Sequence, residues 1–421
     1  MTVALLGRLA LLLVVVVLVV WRPRNLHVAV PAVGGALVAA LLGWVGRTEV
    51  TRVFALVWNA TATLIGLMLI SSLLDKNGAF RYAAMGVARA SGGNGRRLFV
   101  ALCLLATVST AILANDGAIL LVTPMLLELG RLLALPTATT FAYLFATGFL
   151  IDALSTPLVS SNLTNILLAD GLQLPLGVFA SRMLAPTLAM LPVAIATTAL
   201  VVRRDLPARI DLAPLARAPE RRFRRRSRVA TTLALGAFIA LCILGHSWRI
   251  PLGLGVLAIG GALLVVEWLI GTVRPLPIVI GLPWGIVVFS SGLFLVVMAA
   301  AEAGLAPWLG HALVATGRLG GGLLVGLAAS IFNNLPVLLL AMLGLQTQGA
   351  YDPSLPYAAL IGANVGSKLF PMGSLATLLW LEVLREGGLQ PGWGRYIVLA
   401  ALPTIATLLA GLAVLSALRA A

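Results

Sequence analysis

Charge is scarce in this chain: 10% of its residues are Asp, Glu, Lys or Arg, against about 25% in a soluble domain, and 60% are hydrophobic. With a mean hydropathy of +1.06, that balance excludes a soluble globule and predicts an all-α polytopic membrane protein. Cysteine is nearly missing. Cys103 and Cys242 lie in separate apolar runs without CxxC spacing or an adjacent histidine, which argues against a disulfide framework and a structural zinc site. The three histidines, His27, His246 and His311, fall near segment ends and read as interfacial groups. No HExxH, His–Asp or Ser–Lys arrangement occurs in the apolar segments; an enzyme is not expected, nor a cofactor or resident metal ion. Acid is rarer than base, 14 residues against 29, for a net charge of +15. In a soluble chain that would suggest nucleic acid. Here the basic residues gather in connecting segments, as the positive-inside rule requires of a membrane protein, so no nucleic acid is expected.

What is present is a series of apolar runs. Those long enough to span a bilayer occupy roughly 3–20, 27–46, 53–74 and 183–202, then 229–246, 251–270, 284–303 and 396–418. The first is followed by Trp21-Arg22-Pro23-Arg24, an interfacial anchor, and reads as a spanning helix rather than a signal peptide. Between the third and fourth run of each series lies a region with polar interruptions, 98–182 and 319–386, so one layout occurs twice with a period near 218. The expected organisation is a first repeat over 1–202, a basic linker over 203–228 and a second repeat over 229–421. Each repeat holds a re-entrant hairpin (about 98–131 and 319–346) and a broken helix (about 137–172 and 355–386). Counting five spans per half, an odd number, makes this an inverted-topology repeat of two five-helix halves. The linker carries ten arginines, three acids and three prolines, which disfavours a long helix. It is expected to touch anionic lipid; docking of a cytoplasmic partner is the alternative. Placing it in the cytoplasm puts 21 basic residues inside and 7 outside, with Lys368 left in the membrane and both termini outside. The linker supplies ten of the 21, and a twelve-span arrangement in which both hairpins cross fully is the alternative.

Four short polar islands interrupt the apolar sequence, in two matched pairs. Asn115-Asp116-Gly117 is answered 218 positions later by Asn333-Asn334-Leu335-Pro336, and Asp152 with Ser161-Asn162 is answered 212 positions later by Asn364 with Gly373-Ser374. An unpaired polar group in hydrocarbon costs several kcal/mol, and paired breaks in two halves of a membrane chain point to a transporter's substrate site. In the first hairpin, arms Leu98–Leu113 and Ala118–Leu127 flank a tip where Asn and Asp suit a helix N-terminus and Gly117 suits the turn; Thr123-Pro124 loosens the second arm. The following helix would point its positive end at the bilayer midplane. A kinked single span capped by Asp116 is the alternative. In the second hairpin, arms Leu323–Ile331 and Val337–Leu345 flank the tip, and Pro336 suits a first helical turn. Asn334 stands for Asp116, so only one tip can carry a formal charge or a proton.

The broken helices are equally polar. Asp152, Ser155, Thr156, Pro157, Ser160, Ser161, Asn162, Thr164 and Asn165 follow an apolar stretch, and Gly362 to Ser374 is rich in helix breakers. Tips and unwound segments are expected to meet near the midplane. That makes Asn115, Asp116, Asn162, Thr164, Asn333, Asn334, Asn364 and Ser374 the candidate substrate-binding residues. Amides and hydroxyls both donate and accept, which suits a small, neutral, polyhydroxylated solute. A dianion would need more cation than Lys368, and a bare cation more carboxylates and carbonyls. Asp116, Asp152 and Lys368 are ionisable groups inside the membrane and so candidates for proton coupling. Asp116 or Asp152 is expected to exchange protons for solute, with Lys368 competing for the carboxylate; a static Asp–Lys brace between broken helices is the alternative. Glu267, Glu302, Asp75, Lys76 and Arg81 read as interfacial.

Several of these stretches, in order, resemble signatures of the arsenical-resistance efflux permeases, members of the ion-transporter superfamily. They are Trp58-Asn59-Ala60-Thr61-Ala62, Ala114-Asn115-Asp116-Gly117-Ala118 with Thr123-Pro124, Ser161-Asn162-Leu163-Thr164-Asn165-Ile166, Asn333-Asn334-Leu335-Pro336, and Pro371 through Trp380. The resemblance covers nearly the whole chain. It implies a multi-pass protein of a bacterial or archaeal plasma membrane that exports arsenite and antimonite as As(OH)3 and Sb(OH)3. It also implies proton antiport or, in some members, cooperation with a cytoplasmic arsenite-stimulated ATPase. Both solutes are uncharged trihydroxy species, in agreement with the lining inferred above. The wider superfamily implies two re-entrant hairpins whose tips lie at Asn115 and Asn333. This chain departs at Ala363-Asn364, where some relatives carry Cys-Asp, which removes a thiol and a third carboxylate from any mechanism here. A Na+/H+ antiporter, or a carrier of dicarboxylates or inorganic anions, is the alternative function.

Overall fold

A computed structural model describes residues 3–21, 23, 26–217, 225–244, 250–282 and 284–418. Every regular element among them is helical, with one isolated backbone bridge, Asn94 to Arg209. Lipid leaves the backbone no other partner than itself, and the apolar runs satisfy that constraint locally as helices. Among the described residues, six helices are long and apolar enough to cross a membrane. The expected spans correspond to Val3–Trp21, Ala29–Leu41, Arg47–Lys76 and Leu176–Val201, then Arg225–Leu244, Leu252–Leu269, Trp284–Ala300 and Trp393–Ala417. His246 and linker residues 218–224 lie outside the described residues.

Two cross-paired helix couples form the frame. Ala29–Leu41 packs against Trp284–Ala300, and Arg47–Lys76 against Leu252–Leu269. Glycine makes both contacts close. A Cβ on Gly292 would stand 2.8 Å from the Ala32 carbonyl carbon, and one on Gly66 would stand 2.8 Å from the Leu257 nitrogen. Gly35 faces Val296, and Asn77 lies beside Glu267, so the members of each couple run in the same direction. A third couple joins Leu176–Val201 to Trp393–Ala417, with Gly411 against Met190.

Between frame and third couple lie the interrupted helices. The first hairpin consists of Gly95–Leu113 and Asn115–Leu132, broken at Ala114 (φ 61°, ψ 157°). The second consists of the later part of Ala306–Phe332 and Asn334–Gln346, broken at Asn333 (φ 75°, ψ 146°). Glycine is the residue that enters that backbone region freely; Ala114 and Asn333 are held there at a cost of about 1–3 kcal/mol each. The turn thus falls three residues before Gly117, which is helical and instead lets the tip approach Ser71, whose hydroxyl would lie 3.0 Å from a Cβ. Thr123-Pro124 does not interrupt its helix.

The two broken helices differ where they stop and match where they restart. After Thr137–Ala153 the chain passes Leu158 (φ −123°, ψ 151°), one 3-10 turn over Val159–Ser161 and extended Asn162 (φ −155°, ψ 147°), then restarts as Leu163–Gly171. After Leu355–Ile361 it continues as a π-helical turn over Gly362–Gly366 and a 3-10 turn over Ser367–Leu369, then passes Phe370 (φ −122°, ψ 147°), a second 3-10 turn over Pro371–Gly373 and extended Ser374 (φ −143°, ψ 138°), and restarts as Leu375–Glu386.

Three features lie outside the sequence expectations. A short amphipathic helix, Ala79–Ala90, precedes the first hairpin, and the part of Ala306–Phe332 before Gly317 (φ 67°) occupies the same place before the second. The linker is docked rather than free: the Ile210 amide donates to the Gly93 carbonyl at 2.7 Å, and the Pro207 carbonyl lies against Gly95. Glu267, near a helix end, is fully buried and accepts from Asn77 (2.8 Å), Ser227 (2.9 Å) and Thr272. Three neutral donors from separate elements give its carboxylate the hydrogen bonds that water supplies elsewhere.

Candidate functional site

The four polar islands converge. At their centre is Asp152, in the last turn of Thr137–Ala153 and fully buried. Its Oδ1 accepts from Asn115 Nδ2 at 2.9 Å, and its Oδ2 accepts from Ser374 Oγ at 2.5 Å, Thr377 Oγ1 at 3.4 Å and the Lys368 ammonium. Lys368, also fully buried, donates in addition to Thr377. One carboxylate therefore gathers donors from the first hairpin tip and from the second unwound segment, more than 200 positions away in sequence. Charge-assisted bonds of this kind are roughly twice as strong as neutral ones, and the burial of both ions is tolerable because the lone pairs are filled.

Ser374 has given up a helix-capping role for this. Its side chain makes no cap bond to Leu375–Glu386. Asn162, its torsional counterpart, does cap its helix, accepting from the Thr164 amide at 3.2 Å, while its Nδ2 donates to Ser155 Oγ at 2.8 Å. Thr164 Oγ1 donates to Asn364 Oδ1 at 2.7 Å, and Asn364 Nδ2 donates to Asn165 Oδ1 at 3.0 Å, which ties the two unwound segments together. Ser155 Oγ donates to the Asp152 carbonyl at 2.7 Å and so joins this amide network to the ionic one. On the second hairpin, Asn333 caps its helix through the Leu335 amide (3.2 Å) and donates to the Met372 carbonyl at 3.3 Å.

Asp116 and Asn334 are different. Both are buried, at 5% and 3% exposure, and among the described residues neither side chain makes a hydrogen bond. The charged neighbours of Asp116 are Asp152 and Lys368. Counted from the two backbone breaks, Asn115 corresponds to Asn334, and Asp116 to Leu335. The tip registers thus differ by one residue from the sequence pairing of Asp116 with Asn334. The first tip still carries the sole carboxylate of the two.

Sequence reasoning missed Thr377 as a partner of Asp152 and Lys368, although a hydroxyl nine positions after Lys368 in a restarting helix was the available signal. It also missed Asp170, whose carboxylate accepts two hydrogen bonds from Asn59 (2.9 and 2.8 Å), while Asn59 Oδ1 accepts from the Gly253 amide at 2.8 Å. This fastens the end of the first broken helix to the frame. Around the ionic cluster, Phe141, Trp380, Tyr396 and Phe145 form an aromatic wall with centroid separations of 6.1–6.4 Å, and Gly148 makes room for the Trp380 ring.

Unwound helices that present a dry-walled polar centre inside an apolar helical bundle define a multi-pass membrane transporter. Among solved structures it is similar to the Alcanivorax borkumensis YdaH transporter, with a TM-score of 0.52 at 15% identity over 88% of this chain and 86% of that one, which establishes the fold alone. The family follows from the sequence comparisons: residues 8–418 match the model described as arsenical pump membrane protein, and the chain belongs to that family. The arsenical pump membrane protein of Escherichia coli K12 is 34% identical, over 96% of this chain and 97% of its own length. That of Yersinia enterocolitica is 35% identical, over 94% and 96%.

Proposed function

We propose that this protein exports trivalent arsenic and antimony as the neutral trihydroxides, in exchange for protons, and that Asp116 is the exchange point. The observation that carries the reading is the contrast between the two aspartates. Asp152 has four donors, whereas Asp116, a buried residue, has a carboxylate with none among the described residues. An acceptor without a partner gains by taking a proton or by accepting a hydroxyl from a solute, and because a neutral carboxyl is a weaker acceptor than a carboxylate the two compete. Proton uptake at Asp116 then weakens its hold on the trihydroxide, and solute binding favours loss of the proton. The remaining contacts come from amides and hydroxyls that suit an uncharged guest: Asn334, unclaimed like Asp116, and Asn115, Asn162, Thr164, Asn333, Asn364 and Ser374 once their mutual bonds open. Asp152 and Lys368 hold the unwound segments together while the tips exchange ligand. Sulfur capture has no part in it, since Cys103 and Cys242 lie outside the polar islands.

The frame supports the inverted arrangement with re-entrant hairpins. The second helix of each half runs parallel to the third helix of the other, which follows if consecutive spans alternate and the halves are inverted. The names of the family and of its 34–35% identical relatives support the metalloid as cargo.

Uptake of As(III) into everted membrane vesicles, with and without a pH gradient, tests the proposal. Gradient-dependent accumulation is expected. Equal uptake without the gradient, or proton release driven by Na+ but not by As(III), overturns it. An ATPase requirement would appear as uptake that needs ATP in vesicles lacking the gradient.

A further inference from the structure

A groove of about 700 Å³ runs between helices Arg225–Leu244 and Leu252–Leu269. Its existence follows from side-chain size: Ala230, Ala234 and Ala237 recur at helical spacing on one wall, and Ala262 lies on the other, so neither helix fills the space between them. Its rims are apolar and exposed, with Val229 at 51%, Leu233 at 67% and Val266 at 38%. The helices run in opposite directions, so Arg225 and Arg226 lie at the Ile270 end and Ala237 at the Ile259 end. Twelve residues from Arg225 to Ala237 rise about 18 Å, close to the roughly 15 Å hydrocarbon depth of one leaflet.

The basic end is held in place. Ser227, directly after the arginine pair, donates to buried Glu267 at 2.9 Å. The same carboxylate also takes Asn77 and Thr272, so it anchors the helix start without neutralising the arginines. Among the described residues no carboxylate pairs with Arg225 or Arg226, both of which are exposed. A single-leaflet apolar trough with two exposed guanidiniums at one end, unpaired among the described residues, is complementary to a lipid with an acyl chain and a net negative headgroup.

We propose that this groove is a specific site for one anionic phospholipid, its phosphate between Arg225 and Arg226 and an acyl chain along Ala230, Ala234 and Ala237. The test reconstitutes the full chain in nanodiscs of equal phosphatidylglycerol and phosphatidylcholine, re-extracts it in mild detergent, and counts retained lipid by native mass spectrometry. The wild type is expected to keep one phosphatidylglycerol per chain. Arg225→Gln with Arg226→Gln should weaken that retention about 30-fold, and Ala234→Trp, which fills the trough and leaves both charges, should abolish it. Arg203→Gln with Arg204→Gln, in the same basic linker, should retain lipid as the wild type does. Unchanged retention in the Arg225/Arg226 variant overturns the site. So does an equal loss in the Arg203/Arg204 variant, which would assign the attraction to linker charge in general. A dimer that Ala234→Trp dissociates without altering the lipid count would assign the groove to a second copy and also overturns it. Size-exclusion profiles verify folding, and if Ala234→Trp fails that check the two arginine pairs decide the question alone.

Discussion

At the level of single residues, two aspartates in one polar centre have different surroundings. Asp116 lacks donors, so removing its charge should remove the exchange and leave the fold. Asp116→Asn is expected to abolish the stimulation of As(III) uptake by a pH gradient, and to lower affinity about 10- to 100-fold through loss of a hydrogen bond to a charged acceptor. Vesicle flux and equilibrium binding measure the two effects. Asp152 and Lys368 form a satisfied buried pair, and removing one partner strands the other. Lys368→Met should cost about 3–5 kcal/mol in unfolding experiments in detergent, and adding Asp152→Asn should recover most of that loss. The polar islands were legible in the sequence because amides and carboxylates stand out in an apolar chain. Which aspartate is already occupied was not legible, since the donors to Asp152 come from Ser374, Thr377 and Lys368 on the far repeat. The burial of Glu267 was not legible for the same reason: its position near a helix end says nothing of Asn77 and Ser227 arriving from other elements.

At the level of elements, residue types mark breaks and apolar runs, whereas packing leaves no such mark in the sequence. Residue types marked the interruptions at Asn115, Asn162, Asn333 and Ser374, but the turn itself rests on Ala114, a residue with no local preference for positive φ. Only the surrounding contacts account for it. The amphipathic helix Ala79–Ala90 was overlooked because its 12 residues are too few to span and its arginines resemble loop composition. Helix couples depend on close glycine contacts. Gly66→Val should collide with the backbone of Val256 and Leu257 and lower the yield of folded protein severely, whereas Gly34→Ala, with open space around it, should have no effect; fluorescence-detected size exclusion distinguishes them. A second link ties the loop after the second hairpin to the last helix. Arg318 pairs with Asp352 and also donates to the carbonyls of Leu415, Ser416 and Leu418 at a helix C-terminus. Partial burial pushes the Asp352 carboxyl up, but the Arg318 hydrogen bond and the Ser354 amide outweigh this and hold it below its ordinary value of 3.8. A carboxyl whose folded value is depressed stabilises the protein above its unfolded value and loses that contribution as pH falls. Asp352→Asn should therefore lower stability by about 1 kcal/mol or less at neutral pH, and the difference should close as pH drops below 3.8.

At the level of the molecule, the two halves are interlocked: each lends its second helix to the third of the other. Separation at the linker tests this. Residues 1–217 and 225–421, expressed together as two polypeptides, should assemble and transport. Either piece alone should be degraded, which membrane immunoblots would reveal. The linker contact of Ile210 with Gly93 stays within the first piece, so cutting after residue 217 spares it.

The cross-paired frame also bears on how the protein is made. When the ribosome has finished Ala29–Leu41 and Arg47–Lys76, their partners Trp284–Ala300 and Leu252–Leu269 are still some 200 codons away. At about 5–20 residues per second, the glycine-lined faces of the early helices wait ten seconds or more in the bilayer without their mates. Biogenesis must therefore shelter them, and nascent chains stalled before Leu252 should crosslink to the insertion machinery rather than to one another.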